Sequence, residues 1–243
     1  MPAGLTFVNR FFLSGVWVNV ADRIPGIVTF GDSITDGTNS TPDTNNRWPD
    51  HLARRLMAEP GSPNGPRGAA VMNAGISGNR VLSDGAGVSA LARFEGDVLG
   101  QPGVTHVTVL IGINDIGWPG TPNAASDPVM SPEDIIAGHQ QMIGRARARG
   151  IKIIGCTLTP FEVATQPGYF SPAKEARRLA VNRWIRSSGA YDGVIDFEAV
   201  VRDPAQPTKM RADYDSGDHL HPNDAGYRAM AEAVDLSLFR VPR

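Results

Sequence analysis

Short apolar, β-rich runs alternate with helix-patterned segments along most of the chain, and this alternation restricts the fold more than any other feature. Ile27-Val28-Thr29-Phe30 reads as a strand that stops at Gly31, and Trp48 to Met57 has helical spacing. Ala69-Ala70-Val71-Met72 reads as a second strand ending at Asn73, followed by a helix over Val88 to Val98. His106 to Ile111 is a nearly continuous apolar run, the pattern of a strand covered on both faces. Ser131-Pro132 opens a helix with a capping serine and a proline suited to the first turn, and that helix closes at Arg149-Gly150. Ile151 to Cys156 is the fourth strand, Ser171 to about Ser187 the next helix, and Val194-Ile195-Asp196 a short fifth strand. Asn223 caps a last helix that runs to about Leu236. The order predicts an α/β fold, a parallel sheet with helices on both faces and its ligand site at the carboxyl ends of the strands.

The chain has 243 residues, 41% hydrophobic and 20% charged, enough to bury a sizeable core. A formal net charge of -2 and the lack of any basic cluster argue against a nucleic-acid partner or an anionic lipid surface. Cys156, the single cysteine, excludes an intrachain disulfide and reads as a small core residue within its strand. No apolar run approaches the ~20 residues of a membrane span. The first residues lack the pattern of a signal peptide, so the expectation is a cytoplasmic protein or one secreted with its signal or an upstream domain removed. Residues 1–20, including the strand-like Phe11 to Val20, are read as an N-terminal extension, a possible remnant of an upstream β module. Residues 21–243 are read as one α/β domain.

The polar blocks fall where an α/β sheet places chemistry. Gly31-Asp32-Ser33-Ile34-Thr35-Asp36-Gly37 follows the first strand. Ser33 at such a strand-to-helix turn can present both its hydroxyl and its own N–H outward, and the block alone leaves nucleophile and helix cap equally open. Gly75-Ile76-Ser77-Gly78-Asn79-Arg80 follows the second strand, where Gly78 leaves a backbone amide accessible. Gly112-Ile113-Asn114-Asp115 follows the third, and the Asn114 amide can donate into the site. Asp218-His219-Leu220-His221-Pro222-Asn223 precedes the last helix. Asp218, three residues before His221, can accept from the Nδ1–H and leave Nε2 to face a serine. His219 is a rival base, ranked lower because Asp218 is its immediate neighbour.

With these four blocks the sequence resembles the SGNH hydrolases, the GDSL-type esterases and lipases, from about Ile27 to Leu236. The family's functional residues map onto Ser33, Gly78, Asn114 and His221, with Asp218 as the triad acid; Ile34 stands where the first block usually has leucine. The resemblance implies a three-layer α/β/α, flavodoxin-like sandwich with a five-stranded parallel sheet. It implies a serine ester hydrolase with a Ser33-His221-Asp218 triad and an oxyanion hole of the Ser33 N–H, the Gly78 N–H and the Asn114 amide. No cofactor and no metal is required. The acidic run Asp213 to Asp218 lacks the spacing of a calcium loop and reads as a solvated support for Asp218. Asp36 and Asp115 read as loop-fixing acceptors.

The substrate is less legible. Asp32, Asn79, Trp118 and Phe161 are the candidate substrate contacts, with loop packing the alternative for the two aromatics. Residues 117–132, rich in Gly, Pro, Ser and Asn, suggest a mobile flap. Trp48, with Arg47 and His51, reads as the start of an amphipathic helix rather than a leaving-group contact. With no long apolar helix to serve as a lid, the expected substrate is a short-chain acyl ester, acetyl above all, of a small molecule or carbohydrate. A lysophospholipase or thioesterase with the same triad is the alternative, and a catalytically dead carbohydrate-binding protein a distant one. The oligomeric state is open.

Overall fold

A computed structural model describes residues 15–16, 18–19, 24–58 and 68–240. The expected N-terminal extension lies largely outside the described residues. Five strands carry the architecture: β1 Gly26–Gly31, β2 Ala70–Gly75, β3 Val104–Leu110, β4 Lys152–Cys156 and β5 Gly193–Ile195. All pair in parallel in the order β2-β1-β3-β4-β5. This is the flavodoxin-like order, whose switch point lies between β1 and β3. β1, the second strand of the sheet, pairs Ile27 with Val71 of β2 on one side and with His106 of β3 on the other. Every residue of β1 is buried, as expected of a strand covered on both faces.

Helices α1 Ser33–Asp36, α2 Trp48–Ala58, α3 Ala90–Phe94, α4 Ile113–Gly117, α5 Pro132–Ala148, α6 Pro172–Ser187, α7 Phe197–Val201 and α8 Asp224–Glu232 complete the domain. α2, α7 and α8 pack together, and α3, α5 and α6 form a second group. Trp48 is fully buried with its ring 5.2 Å from Phe197, so it builds the core, as expected. Cys156 is likewise buried, and burial pushes its thiol well above the ordinary range. Among the described residues no helix is long and apolar enough to cross a membrane.

The element boundaries follow local hydrogen bonds that periodicity does not show. The helix expected over Val88 to Val98 begins at the cap Ser89 and changes after Phe94 into a π-helical turn, Glu95–Leu99. Asp196 is not strand but the cap of α7, accepting from the Ala199 N–H. The last helix stops at Glu232, and Asp235 caps a separate 3-10 turn, Leu236–Phe239. The expected flap, 117–132, is tied down by turns, by the Ala124 carbonyl accepting from Gly120 N–H, and by the Arg80–Asp127 ion pair at 2.6 Å.

Candidate active site

The carboxyl ends of β1, β2 and β3 meet the loop before α8 in one cleft. Ser33 is the first residue of α1; Asp32, not Ser33, is the cap, accepting from the Ile34 N–H at 3.1 Å. That placement leaves the Ser33 hydroxyl facing the cleft, where it lies 2.8 Å from His221 Nε2. His221 Nδ1 lies 2.6 Å from Asp218 Oδ2. With the imidazole proton on Nδ1 donated to the carboxylate, Nε2 carries the lone pair that accepts from the serine O–H. Ser33 and His221 are 188 residues apart in the sequence, so only the tertiary fold joins them.

Asp218 is held from several sides. Its Oδ1 accepts from the N–H groups of Leu220 and His221 at 2.9 and 2.8 Å and from the Ser216 hydroxyl at 3.1 Å. Its Oδ2 also accepts from Asn39 Nδ2 at 2.8 Å. Partial burial disfavours the charged carboxylate, but the His221 ring and these donors outweigh it and hold the group well below the usual range. Asp218 is therefore ionised throughout the range in which an imidazole titrates.

A pocket of about 250 Å³ opens over Ser33. Gly78, Asn114, Asp218 and His221 line it, with Trp118, Tyr169, Ala164 and Leu220 as its apolar wall. Thr38, Ser77, Thr165 and Gln166 supply polar edges. Gly78 has φ +77°, and a Cβ there would stand 2.8 Å from the Ala86 methyl, so glycine is required at this point of the pocket lining. The Asn114 side chain is nearly buried and donates one Nδ2–H to the Asn79 carbonyl at 3.0 Å. The arrangement sets a hydroxyl hydrogen-bonded to an imidazole beside Gly78 and Asn114 in one pocket, a geometry compatible with acyl transfer.

The GDSL-like Lipase/Acylhydrolase family model matches residues 29–229. The chain belongs to this family. It is an ester hydrolase, and triad and oxyanion hole are features of the family. Among solved structures, this GDSL hydrolase is similar to the aryl esterase of M. smegmatis, at 18% identity and TM-score 0.65, covering 86% of this chain and 95% of that one. An acetylxylan esterase from Geobacillus stearothermophilus, solved as a catalytic mutant, matches at 23% identity and TM-score 0.63, over 87% and 94%. The lipase/acylhydrolase of Enterococcus faecalis matches at 21% identity and TM-score 0.63, over 86% and 93%. At these identities the likenesses establish the fold. The sequence matches no curated protein.

Not every expected substrate contact reaches the pocket of this GDSL hydrolase. Trp118 does, with its ring edge-to-face on Tyr169 at 5.4 Å. Asp32 is fully buried beneath α1, and burial pushes its carboxyl up to about 7. Asn79 points inward, accepting from Arg93 Nε at 2.9 Å and donating to the Val88 carbonyl at 2.8 Å. Phe161 is fully buried against Tyr169 and Phe170 because the chain after β4 turns it into the core. These three support the cleft from below and do not line it.

The loop-fixing acceptors are placed as expected. Asp36 accepts from the Ser77 hydroxyl at 2.8 Å, joining the first block to the second. Asp115 accepts from the N–H groups of Val81 and Leu82, and burial pushes it up to about 6. His219 pairs with its own carboxylate, Asp215, at 2.5 Å, and lines a different cavity with Glu162 and Lys209. The acidic run is engaged within the protein: Asp213 pairs with Arg211, Asp215 with His219 and Asp218 with His221.

Three residues at the site escaped sequence reasoning. Asn39 supports Asp218, and Tyr169 holds Asn114. Arg93 donates to the carbonyls of Gly31 and Ala74 and to Asn79, tying the ends of β1 and β2 together under the cleft. Only Tyr169 had a signal, since it lies in the loop after β4, one of those a parallel sheet turns toward its ligand.

Proposed function

We propose that this ester hydrolase cleaves short-chain acyl esters, acetyl esters first among them, with Ser33 as nucleophile, His221 as general base and Asp218 as the residue orienting it. The contact of His221 Nε2 with Ser33 Oγ at 2.8 Å carries the assignment. His221 takes the serine proton as the hydroxyl attacks the ester carbonyl. The Ser33 N–H, the Gly78 N–H and the Asn114 amide donate to the resulting oxyanion. His221 then protonates the departing alcohol, and the same imidazole activates the water that releases the acid from the acyl-enzyme.

Pocket size supports the choice of acyl group. At about 250 Å³ it falls below the ~300–1,000 Å³ common for drug-sized ligands, and its apolar wall of Trp118, Ala164 and Leu220 suits a methyl rather than a long chain. The hydroxyl and amide groups of Thr38, Ser77, Thr165 and Gln166 suit an alcohol rich in hydroxyls, such as a sugar.

A panel of p-nitrophenyl esters of increasing chain length, sugar acetates, an acyl-CoA and a lysophospholipid tests this reading. The highest kcat/KM is expected on acetyl esters, and preference for lysophospholipid or acyl-CoA overturns it in favour of those substrates. A fluorophosphonate probe is expected to label the wild type and not Ser33→Ala.

A further inference from the structure

The Asn114 side chain carries one acceptor and two N–H donors, and their partners determine which of them face substrate. Oδ1 accepts from the Tyr169 hydroxyl at 2.8 Å, and one Nδ2–H goes to the Asn79 carbonyl at 3.0 Å. One N–H remains, on the side chain that lines the pocket. Rotating the amide by half a turn would set its oxygen against the Asn79 carbonyl and withdraw the NH₂ from that position.

Tyr169 is itself built in rather than merely nearby. Its ring rests on the bare face of Gly117, where a Cβ would lie 2.2 Å from Tyr169 Cζ. Gly117 is three residues after Asn114, at the end of the same short helix. Lys174 Nζ donates at 2.7 Å to both the Gly117 and the Gly168 carbonyls, clamping the backbone beside Asn114 to the backbone beside Tyr169. Trp118 and Phe161 close on the ring edge-to-face at 5.4 and 6.0 Å. Burial keeps the phenol protonated, with its ionisation pushed well above the ordinary range, so it remains a donor.

We infer that Tyr169 is a positioning residue for the oxyanion hole: its hydroxyl locks the Asn114 amide in the rotation that leaves an N–H for the developing oxyanion. The inference rests on the proposed role of Asn114. It adds that the tyrosine acts only through Asn114 and favours the transition state over substrate binding.

The test is a double-mutant cycle on p-nitrophenyl acetate hydrolysis with Tyr169→Phe, Asn114→Ala and the pair. Phenylalanine keeps the ring on Gly117, so the packing of the loop is preserved. Tyr169→Phe is expected to lower kcat about tenfold, the scale of one hydrogen bond, with KM within about twofold. In the Asn114→Ala background the same change is expected to alter kcat less than about twofold, since the group it holds is gone. A tenfold loss in both backgrounds, a loss confined to KM, or no loss at all overturns the inference while leaving Asn114 in its proposed role. Normal turnover by Asn114→Ala alone instead overturns the reading of the oxyanion hole.

Discussion

Asp218→Asn tests the proposed division of labour in the triad most directly, because the structure dictates which way the new amide must face. Asp218 Oδ1 accepts from two backbone N–H groups and the Ser216 hydroxyl, so that position has to remain oxygen. The amide nitrogen is therefore forced to the Oδ2 position, opposite His221 Nδ1 and Asn39 Nδ2. Both are donors to the native carboxylate. An NH₂ there drives the imidazole to the other tautomer, with its proton on Nε2, and Ser33 then meets an N–H instead of a lone pair. Loss of the correct tautomer costs about 10⁴ in kcat in hydrolases of this logic, equivalent to about 5 kcal/mol of barrier. The near-isosteric change leaves the pocket intact, so KM for p-nitrophenyl acetate should move little. Stopped-flow measurement of the acylation step on that ester isolates the affected step. A fall in acylation rate of less than about tenfold, in a variant with an unchanged unfolding transition, would refute the tautomer argument.

Removing one oxyanion donor by Asn114→Ala is expected to cut kcat by about 10²–10³, measured on the same ester. Gly78→Ala forces a methyl toward Ala86 at a φ of +77°, and steady-state kinetics should show a large loss of kcat together with a lowered thermal midpoint. His139 is fully buried and burial pushes it down to about 4, so its folded value lies below the ordinary histidine value near 6.5. The unfolded chain then binds the extra proton, and this contribution to stability is present above about pH 6.5 and lost as the pH falls toward 4. Over that window His139→Gln should gain up to about 3 kcal/mol relative to wild type in urea unfolding, and a constant difference would contradict the assignment. Asp32 has the opposite sign: its carboxyl is raised to about 7, so its contribution is full below about pH 4 and lost as the pH rises through 7. Asp32→Asn should accordingly gain stability relative to wild type between pH 4 and 7.

The amino-acid sequence alone determined the α/β class, the parallel sheet and the four blocks that meet in the cleft. Those signals are local: apolar runs of strand length, capping serines such as Ser131, and glycines at the strand ends. Because a parallel sheet places all strand carboxyl ends on one edge, the ends of the first three strands pointed to Ser33, Gly78 and Asn114 without any distance, while His221 was picked out by the Asp218-to-His221 spacing before the last helix and by the resemblance of the four blocks together. The tertiary structure alone decided which neighbours of those residues face the pocket. Asp32 and Asn79 sit in the same blocks as Ser33 and Gly78 yet turn inward, because the Ile34 N–H and the Arg93 guanidinium hold them there. Phe161 went to the core and Tyr169, eight residues on, to the pocket wall, a choice made by the gap over Gly117 and the clamp of Lys174. Asn39 reaches Asp218 across 179 residues of sequence. A side chain's direction depends on partners brought from elsewhere in the chain, and periodicity carries no information about them.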